Sequence, residues 1–410
     1  MNIGLIGLGT IGQATAKVLL EKGFSCLSLV KIADIDLKRK RDYTPSLNLL
    51  TDDPYEVLND PNIDVIIELI GGIEPAKTYI LKAFEHKKDV VTANKALLSL
   101  HLKEIIASAK TNKRRIRFEA SVGGGIPIIS SITSSLIANK IQKIYGIING
   151  TTNYILTRML EEKREFFDVL EDAQKEGFAE ADPSLDINGD DTLHKLIVLS
   201  ALAFGKIVDI ASVYKEGISK ITISDLVYAD ELGFKIKLLG IAKIDNGNLE
   251  MRIHPVMIPK EHLLSSISYN YNGIYVVSDL TGPLLFYGKG AGGYPTSSAV
   301  MADVFSLLRG EDMNIPDISN VSPYPIENLL LKSYIRFMVS DKPGVLALIS
   351  GILAKYKISI SSCIQKERGD IVPVVMVTHE AYEGDIRSAI DEIKKEDVIK
   401  DVVRIRIEEL

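Results

Sequence analysis

The chain has 410 residues, of which 46% are hydrophobic and 25% are charged, and its formal net charge is −6. This length is enough for about two to three domains that each bury their own core. The slightly acidic balance gives no electrostatic reason to expect a nucleic acid partner. Two cysteines, and no apolar run long enough to span a bilayer, favour a cytoplasmic protein without a disulfide framework and without a membrane partner.

The first predicted elements are a short apolar strand at residues 2–6 and a helix that follows three spaced glycines. In this strand–turn–helix context, the G-x-G-x-x-G pattern indicates a dinucleotide-binding turn. The first glycine makes the tight turn, the second lets the backbone approach a pyrophosphate, and the third lets the helix pack closely on the strand. The N–H groups of the first helical turn hold the phosphate charge. The residues that we expect to bind the cofactor at this turn are Gly7, Gly9, Thr10, Ile11 and Gly12.

A second predicted strand, residues 28–33, ends at Asp34, where a ribose-binding carboxylate is expected. A carboxylate at this position accepts bonds from the ribose hydroxyls and repels a 2′-phosphate, which favours NAD over NADP. Lys38 and Arg39 follow closely enough to bind a 2′-phosphate instead. The sequence therefore predicts NAD or NADP as the cofactor, with a preference for NAD.

Strands and helices alternate over residues 1–130, which predicts an α/β Rossmann domain with a doubly wound parallel sheet. Residues 131–292 mix helices and strands, and we expect an α+β domain for substrate binding and assembly. The polar, proline-bearing residues 310–329 are predicted to be a linker.

The last segment, residues 330–410, has a βαββαβ order of predicted elements, which is typical of a ferredoxin-like sheet. Its turn at Asp341-Lys342-Pro343-Gly344 resembles that of ACT domains, which bind amino acids at subunit interfaces. The sequence therefore predicts an amino-acid effector, with a ferredoxin-like fold of no regulatory role as the alternative.

A strong candidate for chemistry lies on a predicted helix that starts near Asp190 and runs to Phe204. Asp191 and Lys195 are four residues apart and share one face, while the rest of the helix is apolar nearly all round, as in a buried helix. A lysine at the head of a buried helix, paired with a carboxylate, indicates function rather than a surface ion pair. Such an ammonium can protonate the oxygen that becomes negative when hydride reaches a carbonyl carbon.

Three further segments carry candidate site residues. Glu180 and Asp186, in the loop before the helix, are suited to accept bonds from a substrate ammonium, although loop carboxylates are often only solvated. Thr92 and Lys95 follow a predicted strand, at the sheet edge where the nicotinamide is expected. The three glycines at residues 123–125 also follow a strand, and such a run forms a tight turn or exposes carbonyl groups to a hard cation.

Several stretches together closely resemble homoserine dehydrogenases. They are spread over residues 1–310, and the most specific is the one with the AEADPxxDxxGxDxxHKL pattern. The matching stretches are GLIGLGTIGQATAKVL, TANKALLS, EASVGGGIPII, GIINGTTNYILTRM, GFAEADPSLDINGDDTLHKL and GKGAGGYPTSSAV.

The resemblance implies reversible NAD(P)-dependent interconversion of L-aspartate 4-semialdehyde and L-homoserine, on the route to threonine, methionine and isoleucine. It implies that Lys195 is the proton donor with Asp191 as its partner, and that Lys95 lies between cofactor and substrate as a second candidate for proton transfer. The residues that it places at the substrate are Glu180, Asp186, Gly150 and Thr151.

The same resemblance implies a sodium ion, a homodimer or homotetramer, and a helix at about 293–309 that returns to the first domain, where Gly292 approaches the cofactor. The residues implied to offer carbonyl groups to the sodium ion are Glu119, Val122, Gly124 and Ile126. One departure concerns the cofactor. Many family members carry a basic residue where this chain has Ile35, which again favours NAD.

Two other functions compete with this one. Another ACT-bearing NAD-dependent dehydrogenase, such as one for 2-hydroxy acids, would need a histidine–carboxylate dyad, and none of the six histidines lies in such a setting. A non-catalytic sensor of NAD and an amino acid is the second alternative. The Asp191–Lys195 pair argues against it, because a sensor has no use for a proton donor.

Overall fold

The computed structural model describes residues 1–366 and 368–410, and these residues divide into two compact units. The first unit comprises residues 1–150, 191–212 and 270–322, and the second comprises residues 151–190, 213–269 and 323–410. Within the described residues, every helix is too short or too polar to cross a bilayer.

The first unit begins with a parallel sheet of six strands in the order β3-β2-β1-β4-β5-β6, which is the Rossmann order. Helices follow most of these strands. The elements are β1 Asn2–Ile6, α1 Thr10–Glu21, β2 Ser28–Ala33, β3 Leu50–Thr51, α2 Pro54–Asn59, β4 Val65–Glu68, α3 Ala76–Glu85, β5 Asp89–Thr92, α4 Lys95–Thr111 and β6 Ile116–Arg117.

The middle of the chain supplies elements to both units. They are α5 Ile128–Ser130, β7 Ile141–Ile147, α6 Gly150–Glu162, α7 Phe166–Lys175, α8 Ser184–Ile187, α9 Asp190–Phe204, β8 Lys206–Ile207, β9 Tyr214–Lys215, α10 Ile223–Glu231, β10 Phe234–Asp245, β11 Asn248–Pro259, β12 Tyr271–Ser278, β13 Gly282–Lys289, α11 Gly293–Leu308 and β14 Ser319–Asn320. In the first unit, β12 pairs antiparallel with both β7 and β13.

Helix α11 packs on the Rossmann sheet together with α1. Val300 and Val304 of α11 share one apolar core with Leu5 and Ile32 of the sheet. A Cβ at Gly293 would lie 3.2 Å from the Thr10 carbonyl oxygen, so only a small residue lets α11 begin this close to α1. The late glycine segment (residues 288–293) is thereby held at the same sheet edge as the first glycine turn (residues 7–12).

The C-terminal segment folds as the predicted βαββαβ unit. Its four main strands lie in the order β19-β15-β17-β16, and its helices cover one face of the sheet with a common apolar core. The elements are β15 Leu330–Ser340, α12 Val345–Lys355, β16 Ile360–Ile364, β17 Ile371–Thr378, β18 Ala381–Tyr382, α13 Glu383–Ile393 and β19 Ile399–Ile407.

This segment is not a unit on its own, because β19 also pairs with β11, with Val256 opposite Arg406. Buried ion pairs reinforce the contact: Arg252 of β11 binds Glu408, and Arg336 of β15 binds Asp225 of α10. Each compact unit is built from several separate segments of the chain, and the predicted domain boundaries stay predictions. The pairing of β11 with β19 joins the ACT strands to the β10–β11 hairpin across 150 positions of the sequence. No local sequence pattern predicts this pairing.

Candidate active site

The first glycine turn has a different geometry at each glycine. Gly7 has a left-handed φ of +101°, and a Cβ at Gly12 would lie 2.1 Å from the Gly7 carbonyl oxygen. Gly9, which precedes α1, has open space where a Cβ would point, with nothing within 4 Å. The turn is therefore tight at Gly7, closely packed at Gly12 and accessible at Gly9, a shape that fits a pyrophosphate at the helix N-terminus.

Asp34 follows β2 and contacts this turn directly. Its Oδ2 atom accepts a hydrogen bond from the Leu8 N–H at 2.6 Å, and its Oδ1 atom accepts one from Arg41 at 2.9 Å. The Arg41 guanidinium also donates to the carbonyl oxygens of Leu8 and Asp36. Sequence reasoning named Lys38 and Arg39 as the basic residues near the ribose, but Arg41 is the one that pairs with Asp34, because the loop folds back over the turn.

Lys195 and Asp191 both lie on α9 and are both buried. The Lys195 ammonium donates to Asp191 Oδ2 and to the Ile148 carbonyl oxygen, each at 2.7 Å, and its side chain is only 9% exposed. The neighbouring His194 points elsewhere and bonds to Ser99 at 2.7 Å. The lysine is therefore held in the protein interior by a carboxylate and a carbonyl group, and is not a solvated surface residue.

Lys95 completes this cluster from the Rossmann sheet. It is the first residue of α4, directly beyond the carboxyl end of β5, and its ammonium lies 2.7 Å from Asp191 Oδ1. Asn149 also donates to Asp191, at 2.9 Å. Burial alone would raise the pKa of Asp191, but Lys195 and Lys95 together hold it well below its usual value. One carboxylate therefore serves two ammonium groups at the edge of the sheet where cofactors bind in this fold.

Gly150 belongs to the first unit, and a Cβ there would lie 3.0 Å from the Asn270 carbonyl oxygen. The other three predicted substrate residues belong to the second unit. In that unit Thr151 donates to the Phe178 carbonyl oxygen at 2.9 Å, Glu180 is exposed in the loop after α7, and Asp186 is half-buried in α8. The first unit thus brings together Lys195, Asp191 and Lys95, while Thr151, Glu180 and Asp186 keep the roles assigned to them as predictions.

Thr92, predicted to bind the cofactor, turns its side chain inward. Its hydroxyl donates to Glu68 Oε2 at 2.6 Å, and both residues are fully buried at adjacent strand ends. Any contact of Thr92 with a cofactor is therefore left to its backbone. Sequence reasoning missed Glu68, although a carboxylate in the apolar run of residues 64–70 was a usable signal.

The loop implied to hold sodium has oxygen atoms available for a cation. Gly124 has a left-handed φ of +59°, and a Cβ there would lie 2.5 Å from the Gly290 carbonyl carbon, so the loop packs tightly on the late glycine segment. Among the loop hydrogen bonds of the described residues, none goes to the carbonyl oxygens of Val122 or Gly124. The Glu119 carbonyl oxygen accepts one long bond of 3.4 Å, whereas that of Ile126 accepts one of 2.8 Å. Of these four carbonyl groups, only that of Ile126 is used by a short loop hydrogen bond among the described residues.

Gly292 precedes α11 with a φ of +113°, a conformation that glycine adopts readily. Together with the Rossmann sheet, the open glycine turn and the two-lysine cluster, this geometry defines a nicotinamide-dependent oxidoreductase that acts on a carbonyl or hydroxyl group.

Comparisons with known proteins narrow this class. Family models match at residues 7–119 (homoserine dehydrogenase, NAD binding domain), 127–305 (homoserine dehydrogenase) and 333–398 (ACT domain). The homoserine dehydrogenases of Synechocystis and of Neisseria gonorrhoeae are 40% and 39% identical to the chain, with 98% and 100% of the chain and 98% and 99% of those proteins covered.

A solved homoserine dehydrogenase from Thiobacillus denitrificans superimposes with a TM-score of 0.92 at 39% identity, covering 100% of this chain and 98% of that one. The chain belongs to the homoserine dehydrogenase family and carries a C-terminal ACT domain.

Proposed function

We propose that this enzyme interconverts L-aspartate 4-semialdehyde and L-homoserine with NAD(H) or NADP(H), on the route to threonine, methionine and isoleucine. The observation that carries the proposal is the Asp191 carboxylate shared by Lys195 and Lys95, beyond the carboxyl end of β5. Family membership supports the substrate. A sensor without catalysis would gain nothing from two lysines paired with one carboxylate at this edge.

The chain's own residues perform the acid–base part of the reaction. When bound, the dinucleotide supplies the hydride that reduces the aldehyde carbon. Lys195 donates a proton to the aldehyde oxygen and removes it again in the reverse direction, while the Asp191 carboxylate orients the lysine. Lys95 adds a second positive charge near the oxygen. Glu180 binds the substrate ammonium, and Asp186, Gly150 and Thr151 line the substrate pocket.

A substrate panel tests this proposal. We expect NADH or NADPH to be consumed with L-aspartate 4-semialdehyde, and NAD(P)H to form with L-homoserine, whereas 2-oxo acids give no turnover. Turnover of a 2-oxo acid without turnover of the semialdehyde would assign the chain to another class of dehydrogenase. Cofactor binding without turnover of any of these compounds would favour the sensor.

For the cofactor, we propose a preference for NAD, set by Asp34, with NADP accepted through Arg41. Asp34 lies beside the glycine turn, and Arg41 partly neutralises it. We expect Arg41→Ala to lower kcat/KM with NADPH about tenfold, because a phosphate loses its cationic partner, and to change the value with NADH by less than about threefold. An equal loss with both cofactors would assign Arg41 to folding of the loop.

We further propose that the loop carbonyl groups of Glu119, Val122, Gly124 and Ile126 bind sodium. The ion would hold the loop against the late glycine segment, on which Gly124 packs. We expect the melting temperature to rise with NaCl more than with choline chloride at equal ionic strength. The same response to both salts would exclude a specific cation.

The ACT strands support a proposal of feedback regulation by an amino acid and of assembly into a homodimer or homotetramer. The turn at residues 341–344 is exposed, and among the described residues of their own units the edge strands β13 and β16 each pair with a strand on one side only. Deleting residues 330–410 would take Arg336 away from Asp225 and Glu408 away from Arg252, which are both buried, so the full chain is the proper test object. We expect threonine, methionine or isoleucine to inhibit the full chain, and light scattering to give a mass of two or four chains.

A further inference from the structure

Glu68 is a buried carboxylate that the proposed mechanism does not use. It is the last residue of β4, it has 0% exposure, and the preceding residues Val65, Ile66 and Ile67 are all apolar. Inner strands of a parallel sheet normally present apolar side chains on both faces. A carboxylate in such a place is strongly unfavourable unless donors surround it. Its presence at the cofactor edge therefore calls for an explanation beyond packing.

Three donors surround this carboxylate, two from the loop after β4 and one from the last residue of β5. The Thr92 hydroxyl donates to Oε2 at 2.6 Å, the Ile70 N–H donates to Oε1 at 2.8 Å, and the Gly71 N–H donates as well. Burial raises the pKa of Glu68, and these three hydrogen bonds oppose that shift. One side chain thus ties the loop after β4 to the end of β5.

The loop after β4 in turn shapes the dinucleotide turn. A Cβ at Gly7 would lie 2.7 Å from the Leu69 carbonyl oxygen and 2.9 Å from the Ile70 side chain. Gly71 and Gly72 follow with left-handed φ angles of +75° and +73°. Because Glu68 fixes the Ile70 and Gly71 N–H groups, it fixes the backbone against which Gly7 packs.

The other branch of the network leads to the catalytic cluster. The Thr92 hydroxyl oxygen accepts a bond from the Asn94 N–H at 3.0 Å, and Asn94 Oδ1 caps α4 by accepting from the Leu97 N–H at 3.1 Å. Asn94 also donates to the Gly72 carbonyl oxygen at 2.6 Å, which joins the two branches. The next residue, Lys95, is the first of α4 and pairs with Asp191.

We propose that Glu68 is a positioning residue that acts through Thr92 and Asn94 to set the place of Lys95 at the reacting edge. This inference rests on the proposed function, since it gives Lys95 a role in turnover. The carboxylate suits the task because it accepts from several N–H and O–H donors at once, which an amide or an apolar side chain does not.

Three variants of Glu68 and Thr92, with one control variant, test the network. Glu68→Gln keeps the shape but places an NH2 group against the Thr92 hydroxyl. Thr92→Val removes the hydroxyl, and Thr92→Ser restores it. We expect the first two variants each to lower kcat about tenfold, and Thr92→Ser to recover most of what Thr92→Val loses. Thr133→Val is a matched control with unchanged kcat, because Thr133 is another buried threonine, whose hydroxyl bonds to a helical carbonyl group.

A double-variant cycle separates positioning from a loss of stability. In the Lys95→Met background, Thr92→Val is expected to lower kcat by less than about twofold, because the side chain that it misplaces is gone. A full tenfold loss in that background, or unchanged kcat in Thr92→Val, would overturn the inference while leaving the proposed function intact. An inactive wild-type enzyme would instead defeat the proposed function.

Hydrogen exchange gives a readout that does not depend on activity. We expect Glu68→Gln to speed exchange at the amides of residues 70–71, whose shared acceptor loses its charge, and Thr92→Val to speed exchange at the Asn94 amide, which loses its acceptor, each by at least about tenfold. Exchange at residues 128–135, which surround the control Thr133, stays unchanged. Protection at residues 70–71 and at Asn94 equal to that of the wild type would overturn the inference even without a substrate assay.

Discussion

Two buried lysines, Lys195 in the first unit and Lys237 in the second, differ in whether a carboxylate lies beside the ammonium group. The Lys195 ammonium shares a carboxylate, Asp191, with a second lysine. The Lys237 ammonium, on β10 in the second unit, donates to the Asn153 side chain at 2.9 Å and to the Ile267 carbonyl oxygen, which are both neutral. Among the residues that the structure describes, no carboxylate lies within ion-pair distance of Lys237.

The charge of a buried lysine follows from this difference. Burial lowers the pKa of Lys237 to about 7, with the nearby Lys235 adding to the shift and Glu161 opposing it. Lys195 instead lies beside the Asp191 carboxylate, whose own pKa is held low, so a negative charge faces its ammonium group. Burial alone therefore does not make a lysine a proton donor. The feature that supports the role proposed for Lys195 is the buried carboxylate that it shares with Lys95 at the carboxyl edge of the sheet.

The largest effect is expected when Lys195, one of the two lysines that share Asp191, is replaced. Lys195→Ala should lower kcat by about a thousandfold, in the range that a positioned general acid contributes. Binding of NADH, measured by fluorescence titration, should change by less than about threefold, because Lys195 contacts Asp191 and Ile148 rather than the glycine turn. A variant that retains more than a tenth of the wild-type kcat would remove Lys195 from its role.

The next largest effect is expected when the carboxylate beside Lys195 is neutralised, so that the lysine has neutral neighbours as Lys237 does. Asp191→Asn keeps the shape of the side chain but removes the negative charge that pairs with the Lys195 and Lys95 ammonium groups. We expect kcat for reduction of the semialdehyde at neutral pH to fall about a hundredfold, since the amines lose their protons more readily. The pH–rate profile should show an alkaline limb displaced to lower pH. A uniform loss at every pH would contradict the idea that Asp191 keeps the lysines charged.

The sequence predicted the parts of this cluster whose signals are local. The glycine spacing and the adjoining strand predicted the Rossmann fold, which is confirmed. The predicted pairing of Asp191 with Lys195 corresponds to an actual ion pair, because residues four apart on a helix lie side by side. The βαββαβ order of the ACT segment is also confirmed, since each element carries its own periodicity.

Contacts between distant segments were beyond sequence reasoning. Nothing in the sequence indicates that Lys95 reaches the same carboxylate as Lys195, or that Arg41 folds back onto Asp34. The lysine at position 237 lies in an alternating pattern that would suit a half-exposed strand, yet β10 is covered on both faces there. Side-chain burial at such positions depends on which elements pack together, and the local sequence of one strand does not predict this.

Lys237 makes stability depend on pH. Its folded-state pKa of about 7 lies below the value of 10.5 expected in an unfolded chain, so between these values the unfolded state binds more protons. Stability therefore increases as the pH rises through this window, by at most about 1.4 kcal/mol per pH unit. We expect Lys237→Met to flatten the change in melting temperature between about pH 7 and pH 9. Lys220→Met, at an exposed lysine of the same unit, should keep the wild-type slope, and a wild-type slope in Lys237→Met would reject the lowered pKa.

The smallest expected effect concerns Lys95, whose side chain is 40% exposed against 9% for Lys195. Water screens an exposed charge more strongly, so Lys95 adds less to the field at the reacting oxygen. We expect Lys95→Met to lower kcat about tenfold, which corresponds to about 1.4 kcal/mol. Lys95→Arg should recover part of this loss, because the charge remains while the geometry changes. If Lys95→Met instead matches Lys195→Ala, the two lysines transfer the proton as one unit, and burial no longer distinguishes the donor from its neighbour.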